Sequence, residues 1–149
     1  MARNVDRAPA LDLENLSSKL DWKQFEGFCE LAIKSFGYST IRNYRLKKPR
    51  LEIDLIAFRG KIAFAADCKH WKRTVGQSAM LRVAEMQIER CKRVVAVEEF
   101  EEIIPIILTL HEESIHLLEN GVPLVPIRKI QDFMLNWDAF SERLLVIQK

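Results

Sequence analysis

Long apolar segments are absent from this 149-residue sequence, and glycine and proline occur only five times each. No stretch approaches the roughly 20 apolar residues that a membrane-spanning helix requires, so we expect no membrane segment. The opening sequence MARNVDRAPALDLENL has no apolar core of the secretory type. With 48% hydrophobic and 30% charged residues, the chain has the composition and length of one domain with its own hydrophobic core.

Cysteine and histidine, the residues of disulfide frameworks and zinc sites, are scarce, with three of each. The cysteines at positions 29, 68 and 91 are widely spaced and include no CxxC pair. The histidines at 70, 111 and 116 also lack ligand spacing, because the last two cannot share one helical face. This pattern argues against a zinc site and against disulfides, and it predicts reduced thiols in a cytoplasmic protein.

A strong net charge is also lacking, since 23 Lys/Arg and 21 Asp/Glu leave +2, but the charges are unevenly placed. Residues 101–149 hold four of the basic and eight of the acidic residues, which leaves 19 basic and 13 acidic residues in 1–100. Segment 42–50, RNYRLKKPR, has five basic residues and no acid. Such clusters are typical of polyanion-binding surfaces, although a solvated basic face would have the same composition. We predict DNA contacts for the basic residues of this segment and of a second group at 69–73: Arg42, Arg45, Lys48, Arg50, His70, Lys72 and Arg73.

Hydrophobic periodicity divides the chain into helices and strands. Apolar residues at 22, 25, 29, 32, 33 and 36 predict a helix from Trp22 to about Phe36, with Asp21 as its N-cap and Gly37 at its end. The remaining predicted elements are strands at 38–46, 51–59 and 62–69, a helix at 77–95, a strand at 103–110, a helix at 112–120 that Gly121 ends, a strand at 122–127, a helix at 129–140 and a short strand at 144–147.

The order of these elements predicts the fold class. Residues 1–20 lack a sustained pattern and are expected to form an N-terminal arm, while 21–149 form a single domain. The order α-β-β-β-α-β-α-β-α combines a hairpin with crossover connections. It therefore predicts an α/β fold with a central mixed sheet and helices on both faces.

Two aspartates occupy strand positions that are unfavourable for a carboxylate. Asp54 lies mid-strand among apolar residues, and Asp67 lies near the end of the next strand. If Gly60 and Lys61 form a two-residue turn, the hairpin register places Asp54 opposite Asp67, with Cβ atoms roughly 4.5–5.5 Å apart. Like charges at that distance repel unless a cation lies between them, and Mg²⁺ typically takes one or two carboxylates. The pair therefore predicts a metal site.

Lys69 and Glu26 extend this predicted site. Lys69 projects from the same strand face as Asp67, where an ammonium can activate a water or neutralise charge on a phosphate. Glu26 lies on the apolar stripe of the first helix, where a carboxylate needs a partner. Each residue alone has an ordinary explanation, because a mid-strand Asp is more often structurally paired and Glu26 could reach solvent from the border of the stripe. Together, and among basic residues, they favour a catalytic site.

The segments WKQFEGFCELAIKSFGY, EIDLIAF and ADCKHWKRTVG resemble the PD-(D/E)xK nuclease superfamily, in particular its Mrr-like restriction endonuclease and Holliday-junction-resolvase branch. The resemblance is specific over residues 22–76 and looser to about residue 135. It implies a restriction-endonuclease-like three-layer α/β/α core and Mg²⁺-dependent hydrolysis of DNA. The matching positions are the helix-one acid Glu26, the first motif acid Asp54, the second motif acid Asp67 and the motif lysine Lys69. The sequence departs from the pattern at Ile53, where many relatives have Pro, and at Asp67, where Glu or Gln is more usual.

Residues and resemblance together predict a metal-dependent endodeoxyribonuclease, either a restriction-type cutter or a structure-specific repair or recombination nuclease. The metal, Mg²⁺ with Mn²⁺ as a substitute, is predicted to bind Asp54, Asp67, Glu26 and the backbone carbonyl of Cys68. A resolvase is expected to be a homodimer, because two symmetric incisions need two sites. Two alternatives stay open: an inactive nucleic-acid-binding module or accessory subunit on the same fold, and an enzyme that acts on RNA.

Four residues near the motifs have less specific interpretations. Gln77 is added to the predicted DNA contacts. Gln87 and Arg90 fall in the second predicted helix with Gln77; each could contact substrate, but a role on the helix surface is the simpler interpretation for all three. Trp71 is expected to pack in the core, although an aromatic ring after the lysine motif could also stack on a base.

Overall fold

The computed structural model describes residues 21–71, 75–110 and 114–149. The predicted N-terminal arm, 1–20, lies outside the described residues, as do Lys72 and Arg73 of the second basic group. Within the described ranges, no helix is long and apolar enough to cross a membrane.

The described chain contains three α-helices, seven strands and two short 3-10 turns. In chain order they are α1 (Trp22–Ser35), β1 (Ser39–Lys47), β2 (Arg50–Arg59), β3 (Ile62–Lys69), α2 (Gln77–Val97), β4 (Glu102–Thr109), β5 (His116–Leu117), β6 (Pro123–Pro126), a 3-10 turn (Ile127–Lys129), α3 (Ile130–Asn136), a second 3-10 turn (Trp137–Phe140) and β7 (Ile147–Gln148).

Helix α1 begins where its sequence provides a cap. The Asp21 carboxylate accepts a hydrogen bond from the backbone N–H of Gln24 over 2.8 Å, and the Gln24 side chain accepts one from the backbone N–H of Asp21 over 3.0 Å. This reciprocal pair is a capping box, which satisfies two N–H groups that helix geometry leaves without partners. Gly37 follows the helix with φ +91°. The predicted limits of this helix are confirmed to within one residue.

Strands β1, β2 and β3 form an antiparallel meander. Arg59 pairs with Ile62 across the turn at Gly60, and the β2–β3 ladder runs from there to Leu55 opposite Ala66. The predicted hairpin register is therefore confirmed. The ladder ends at that pair, although β2 extends back to residue 50 and β3 continues to residue 69. The two strands consequently separate at the end where the predicted catalytic residues lie.

The rest of the sheet is built by crossovers. Strand β4 is parallel to β3 along its whole length, and β6 is parallel to the end of β4. The edge strand β5 is antiparallel to β6, and β7 is antiparallel to the start of β4. The strand order is β1-β2-β3-β4-β6-β5, with β7 beside β4, so the central mixed sheet is confirmed.

Helices cover both faces of this sheet. On one face, α1 and α3 contribute Phe25, Ile33 and Phe133 to a core cluster that includes Phe64 of β3. On the other face, α2 contributes Cys91 and Val94 to a cluster built with residues of β2, β3 and β4. Burial of both sheet faces explains why the central strands are apolar on both sides. The fold is a three-layer α/β/α sandwich, as the sequence predicts.

The predicted helix over 112–120 is wrong in its described part. Beyond residues 111–113, which lie outside the described ranges, the chain forms strand β5, His116–Leu117, in a hairpin with β6. The backbone N–H of Leu118 donates to the carbonyl of Val122 over 3.0 Å, and the Asn120 side chain accepts from the N–H of Val122 over 3.3 Å. Gly121, with φ +87°, therefore belongs to a hairpin turn. A polar run before glycine has the same sequence pattern in a helix end and in such a turn.

The C-terminal predictions hold in part. The predicted helix over 129–140 consists of the short helix α3 with a 3-10 turn on either side. The predicted last strand over 144–147 overlaps β7 only at Ile147, because pairing with β4 involves Ile147 and Gln148.

Candidate active site

An open pocket of about 340 Å³ lies where β2 and β3 separate. Both helical layers and both strands contribute residues to it: Trp22 and Glu26 from α1, Glu52 and Asp54 from β2, Asp67, Cys68 and Lys69 from β3, and Gln87 and Arg90 from α2. The four residues that the sequence predicts for catalysis are all in this set. Their roles in chemistry stay predictions, but the fold brings their side chains into one cavity.

Asp54 and Asp67 lie side by side in this pocket. Each lies one residue beyond the last ladder pair, Leu55 and Ala66, on its own strand, and the charge of Asp67 acts on the carboxyl group of Asp54. The backbone N–H of Cys68 donates to Oδ2 of Asp54 over 2.9 Å. The Asp54 side chain thus accepts a strand N–H at the position where β2 and β3 no longer pair through their backbones.

The environment of Asp54 favours its protonated form. Burial has the largest effect and raises its pKa, the Cys68 N–H opposes this, and the charges of Asp67 and Glu26 raise the pKa further. The result is a pKa of about 7, well above the ordinary value of an aspartate. A cation that enters the pocket would stabilise the charged form of this carboxyl group.

Glu26 reaches the pocket from α1 and is only 5% exposed. Burial raises its pKa, and the guanidinium of Arg42 opposes that effect. Nη2 of Arg42 lies 4.0 Å from Oε1 of Glu26 and donates to the backbone carbonyl of Lys23 over 2.8 Å. Arg42, a predicted DNA contact, is therefore engaged with α1 and partly compensates the charge of Glu26.

Two cations flank Asp67, which is 6% exposed. Nζ of Lys69 lies 3.4 Å from Oδ1, and Nη1 of Arg90 lies 3.9 Å from Oδ2. Each cation therefore approaches a different oxygen of the same carboxylate. The arrangement combines acidic oxygens with positive donors, as a site for a metal ion and a phosphate requires.

The donor set of this pocket matches a hard divalent cation, although no complete cage is formed. Within the described part of the chain, no group of three or more His, Cys, Asp or Glu side chains is arranged to hold a metal. Two neighbouring carboxylates are nevertheless what Mg²⁺ commonly takes from a protein, with water and substrate oxygens completing its shell. The residues present therefore fit Mg²⁺ or Mn²⁺ as an ion shared with substrate.

Three residues of the pocket lie elsewhere than the sequence predicts. Gln87 is fully buried, which corrects the helix-surface interpretation, and Arg90 lines the pocket. The signal was available, since Gln87 lies three residues after Ala84 and four before Cys91, on the apolar stripe of α2. Trp22, assigned to the apolar face of α1, is instead 58% exposed at the pocket.

The other predicted DNA contacts lie around the pocket at varying distance. Arg45 pairs with Glu52 over 3.1 Å, while Lys48 and Arg50 are exposed in and beside the β1–β2 turn. Arg45, Lys47 and Arg50 line a second open groove of about 640 Å³. Because Glu52 lines both cavities, the basic groove adjoins the pocket.

Among the described residues, the predicted contacts His70 and Gln77 line neither cavity. The ring of His70 packs against Phe25 with centroids 5.0 Å apart. Gln77 is exposed at the first turn of α2. Trp71 packs against the cluster that contains Met80, so its predicted core role is confirmed.

A family comparison covers the elements that build this pocket. Residues 17–101 match the catalytic-domain model of the Mrr-type family, described as restriction endonuclease. The match extends over more than half of the chain and includes every residue of the pocket. The chain therefore belongs to this restriction endonuclease family of the PD-(D/E)xK superfamily.

A solved restriction endonuclease subunit shows the same fold. The small subunit (R.BspD6I2) of the heterodimeric restriction endonuclease R.BspD6I aligns with a TM-score of 0.57, covering 93% of this chain and 82% of that subunit at 11% identity. Protein VC1899 from Vibrio cholerae aligns with a TM-score of 0.45 over 81% of this chain and 34% of its own, at 10% identity. A protein of unknown function, AF1548, aligns with a TM-score of 0.38 over 59% and 46%, at 24% identity. A comparison with curated proteins finds no match.

Proposed function

We propose that this domain is a metal-dependent endodeoxyribonuclease that hydrolyses DNA phosphodiester bonds in the pocket around Asp54 and Asp67. The observation that carries the proposal is the pair of neighbouring carboxyl groups, Asp54 and Asp67, that share one pocket at the open end of the β2–β3 hairpin, beside Lys69. A pure binding surface has no need for a partly buried acid with a pKa of about 7, whereas active sites commonly contain one. Membership of the restriction endonuclease family supports the same chemistry.

Mg²⁺, or Mn²⁺ in its place, is the cofactor that these residues fit. Asp54 and Asp67 would hold it, and Glu26 lines the same pocket. The carbonyl of Cys68 is the fourth predicted ligand. It faces the same side of β3 as its N–H, which donates to Asp54, because the two groups of one strand residue point the same way. A bound ion supplies Lewis acidity at the scissile phosphate and lowers the pKa of a water molecule.

Lys69 is the proposed hydrogen-bond donor to the attacking water or to the phosphate. Its side chain is 32% exposed and lies 3.4 Å from Asp67, so it can donate to a water or to a phosphate oxygen in the pocket. In the proposed reaction the water oxygen forms a new bond to phosphorus as the P–O3′ bond breaks. The two water protons end on the 3′-hydroxyl and on the new 5′-phosphate, which then ionises.

The basic groove beside the pocket is the proposed path of the DNA backbone. Lys47 and Arg50 line it, and exposed cations of this kind bind phosphates without reading sequence. Specificity would then depend on DNA shape, on a partner or on the geometry of a dimer. A homodimer is the simplest assembly that cuts two strands, since each copy supplies one pocket.

The proposed setting is the cytoplasm. The three cysteines are free and buried, as expected for a protein that carries reduced thiols.

The rival proposal is a DNA-binding module that does not cut. One observation favours it: Asp67 already lies between Lys69 and Arg90, so part of its charge is compensated without a metal. This rival predicts DNA binding without cleavage in any divalent metal. The RNA-directed alternative predicts that an RNA competitor displaces DNA.

The deciding experiment is incubation of plasmid, linear duplex, flap and four-way-junction DNA with Mg²⁺ or Mn²⁺. Wild type is compared with Asp67→Ala and Lys69→Ala, and with Lys61→Ala and Glu85→Ala as controls at exposed positions outside the pocket. We expect wild type and both controls to cut, and the two pocket variants to bind DNA without cutting. Cleavage that survives both pocket substitutions would place the active site elsewhere, and a folded wild type that cuts nothing would support the binding module.

A further inference from the structure

Gln87 is a buried polar residue in the apolar face of α2. Its side chain is 0% exposed, and a buried amide destabilises a fold unless its donor and acceptor both have partners. Here Nε2 donates to the backbone carbonyl of Ala65 in β3 over 2.9 Å, and Oε1 accepts from Nη1 of Arg90 over 2.9 Å. The amide therefore connects strand β3 to the guanidinium of Arg90.

The Arg90 side chain forms part of the pocket wall. It is 26% exposed and lines the cavity beside Asp67. The distance of 3.9 Å to Oδ2 of Asp67 is longer than a hydrogen bond, so among the described residues Gln87 is the acceptor that holds the guanidinium. Since an arginine has five N–H donors, the remaining ones can bind oxygens of a molecule in the pocket.

The carbonyl of Ala65, which accepts the hydrogen bond from Gln87, lies on the strand that carries Asp67 and Lys69. Ala65 precedes Asp67 by two residues in β3, so Gln87 fixes Arg90 relative to that carboxylate. Lys69 and Arg90 approach different oxygens of Asp67 and thus flank it on two sides. The pocket therefore has two distinct cations beside Asp67, Lys69 on β3 and Arg90 on α2.

We propose that Arg90 is a catalytic residue that binds the scissile phosphate, and that Gln87 is the positioning residue that orients it. This inference rests on the proposed nuclease function. A planar guanidinium matches two phosphate oxygens at once, which an ammonium does not. As the water oxygen bonds to phosphorus, negative charge grows on the non-bridging oxygens, and a guanidinium already fixed in place stabilises it.

The test is steady-state cleavage by Arg90→Ala, Arg90→Lys, Gln87→Met and the double variant Gln87→Met/Arg90→Ala. Gln87→Met keeps the volume and removes both hydrogen bonds, and Arg93→Ala is the matched control, an exposed arginine one turn along α2. We expect Arg90→Ala to lower kcat roughly 100-fold with little change in KM, and Arg90→Lys to recover only a small part. Gln87→Met should lower kcat roughly 10-fold, and the double variant should be no worse than Arg90→Ala, because Gln87 acts through Arg90.

Several outcomes would overturn the inference without affecting the proposed function. If wild type cuts, Asp67→Ala does not and Arg90→Ala cuts at nearly the wild-type rate, Arg90 does not bind the scissile phosphate. If Arg90→Lys restores full activity, binding of two phosphate oxygens by a planar guanidinium does not contribute to catalysis. If the losses of Gln87→Met and Arg90→Ala multiply in the double variant, Gln87 supports the fold and does not position Arg90.

A wild type that never cuts would refute the proposed function and leave phosphate binding by Arg90 to be decided separately. The measurement is then DNA binding in Ca²⁺ across a salt series. A slope of log Kd against log salt that is about one unit smaller for Arg90→Ala than for wild type and Arg93→Ala supports a phosphate contact. Equal slopes for all three proteins would refute it.

Discussion

The backbone N–H of Cys68 donates to Oδ2 of Asp54 over 2.9 Å, just beyond the last pair of the β2–β3 ladder. The bond holds the Asp54 carboxyl beside that of Asp67 and favours its charged form, while burial disfavours that form. Burial has the larger effect, so the pKa of Asp54 is raised. The site is therefore held in place by the fold but is electrostatically unfavourable without a cation.

The metal-free protein should lose stability as pH rises toward 7 because of Asp54. Its folded-state pKa of about 7 exceeds its ordinary value of 3.8, so between these values the folded state retains a proton that the unfolded state has lost. Asp54→Asn removes this penalty. We expect it to stabilise the protein in EDTA by on the order of 1 kcal/mol at about pH 8 and by much less at about pH 4, as measured by urea unfolding. A stability difference that does not change with pH would contradict this prediction.

Mg²⁺ should reverse the order of stability of the same two proteins near pH 8. An ion bound by Asp54 and Asp67 stabilises the folded state by mass action, and Asp54→Asn removes one of its ligands. Thermal unfolding with and without millimolar Mg²⁺ measures the effect. We expect Tm to rise for wild type and to stay unchanged for the variant. An equal rise in both would mean that the ion binds elsewhere.

Substitutions in the basic groove should weaken DNA binding without abolishing cleavage. Arg50 is exposed in the groove, whereas Arg45 is paired with Glu52, so Arg50→Ala should cost more affinity than Arg45→Ala. The salt slope of log Kd should fall by about one unit for Arg50→Ala. Fluorescence anisotropy of a labelled duplex in Ca²⁺ measures both quantities. If Arg45→Ala has the larger effect, the ion pair opens in the complex and the proposed path is different.

The turn at Gly121 should be sensitive to a single methyl group. An added Cβ would lie 3.0 Å from the backbone nitrogen of Leu145, at a residue with φ +87°. Gly60 has a similar φ of +62° but nothing within 4 Å, so Gly60→Ala measures the conformational cost alone. We expect losses of about 1 kcal/mol for Gly60→Ala and about 2–3 kcal/mol for Gly121→Ala in urea unfolding. Equal losses would show that the backbone near Leu145 adjusts freely.

The parts of the fold that were predictable from sequence depend on local patterns. Short sequence patterns predict the capping residues of α1, the two-residue turn at Gly60 and the apolar strands β2 and β3. Because hairpin register follows from turn length, it also placed Asp54 and Asp67 next to each other. The hairpin β5–β6 was missed because its polar strand has a helix-like pattern before Gly121 and is held by pairing with β6.

Other features of the site depend on how separate elements meet. The buried residues of α2 include Met80, Ala84, Gln87 and Cys91, and Gln87 bonds to the strand that carries Asp67. The packing of this helix on the sheet buries Gln87 and brings Arg90 to the pocket. Similarly, the exposure of Trp22 follows from its place at the start of α1, beside the open end of the sheet.

The most direct test of the account is conversion of supercoiled plasmid to nicked or linear DNA in Mg²⁺ by wild type and by Asp54→Asn. Asparagine keeps the shape of the side chain and an oxygen that accepts from the Cys68 N–H, but it lacks the charge that would hold a cation. The account predicts cleavage by wild type with 5′-phosphate ends, no cleavage by the variant, and equal DNA affinity for both in Ca²⁺. Cleavage by Asp54→Asn at the wild-type rate would contradict it.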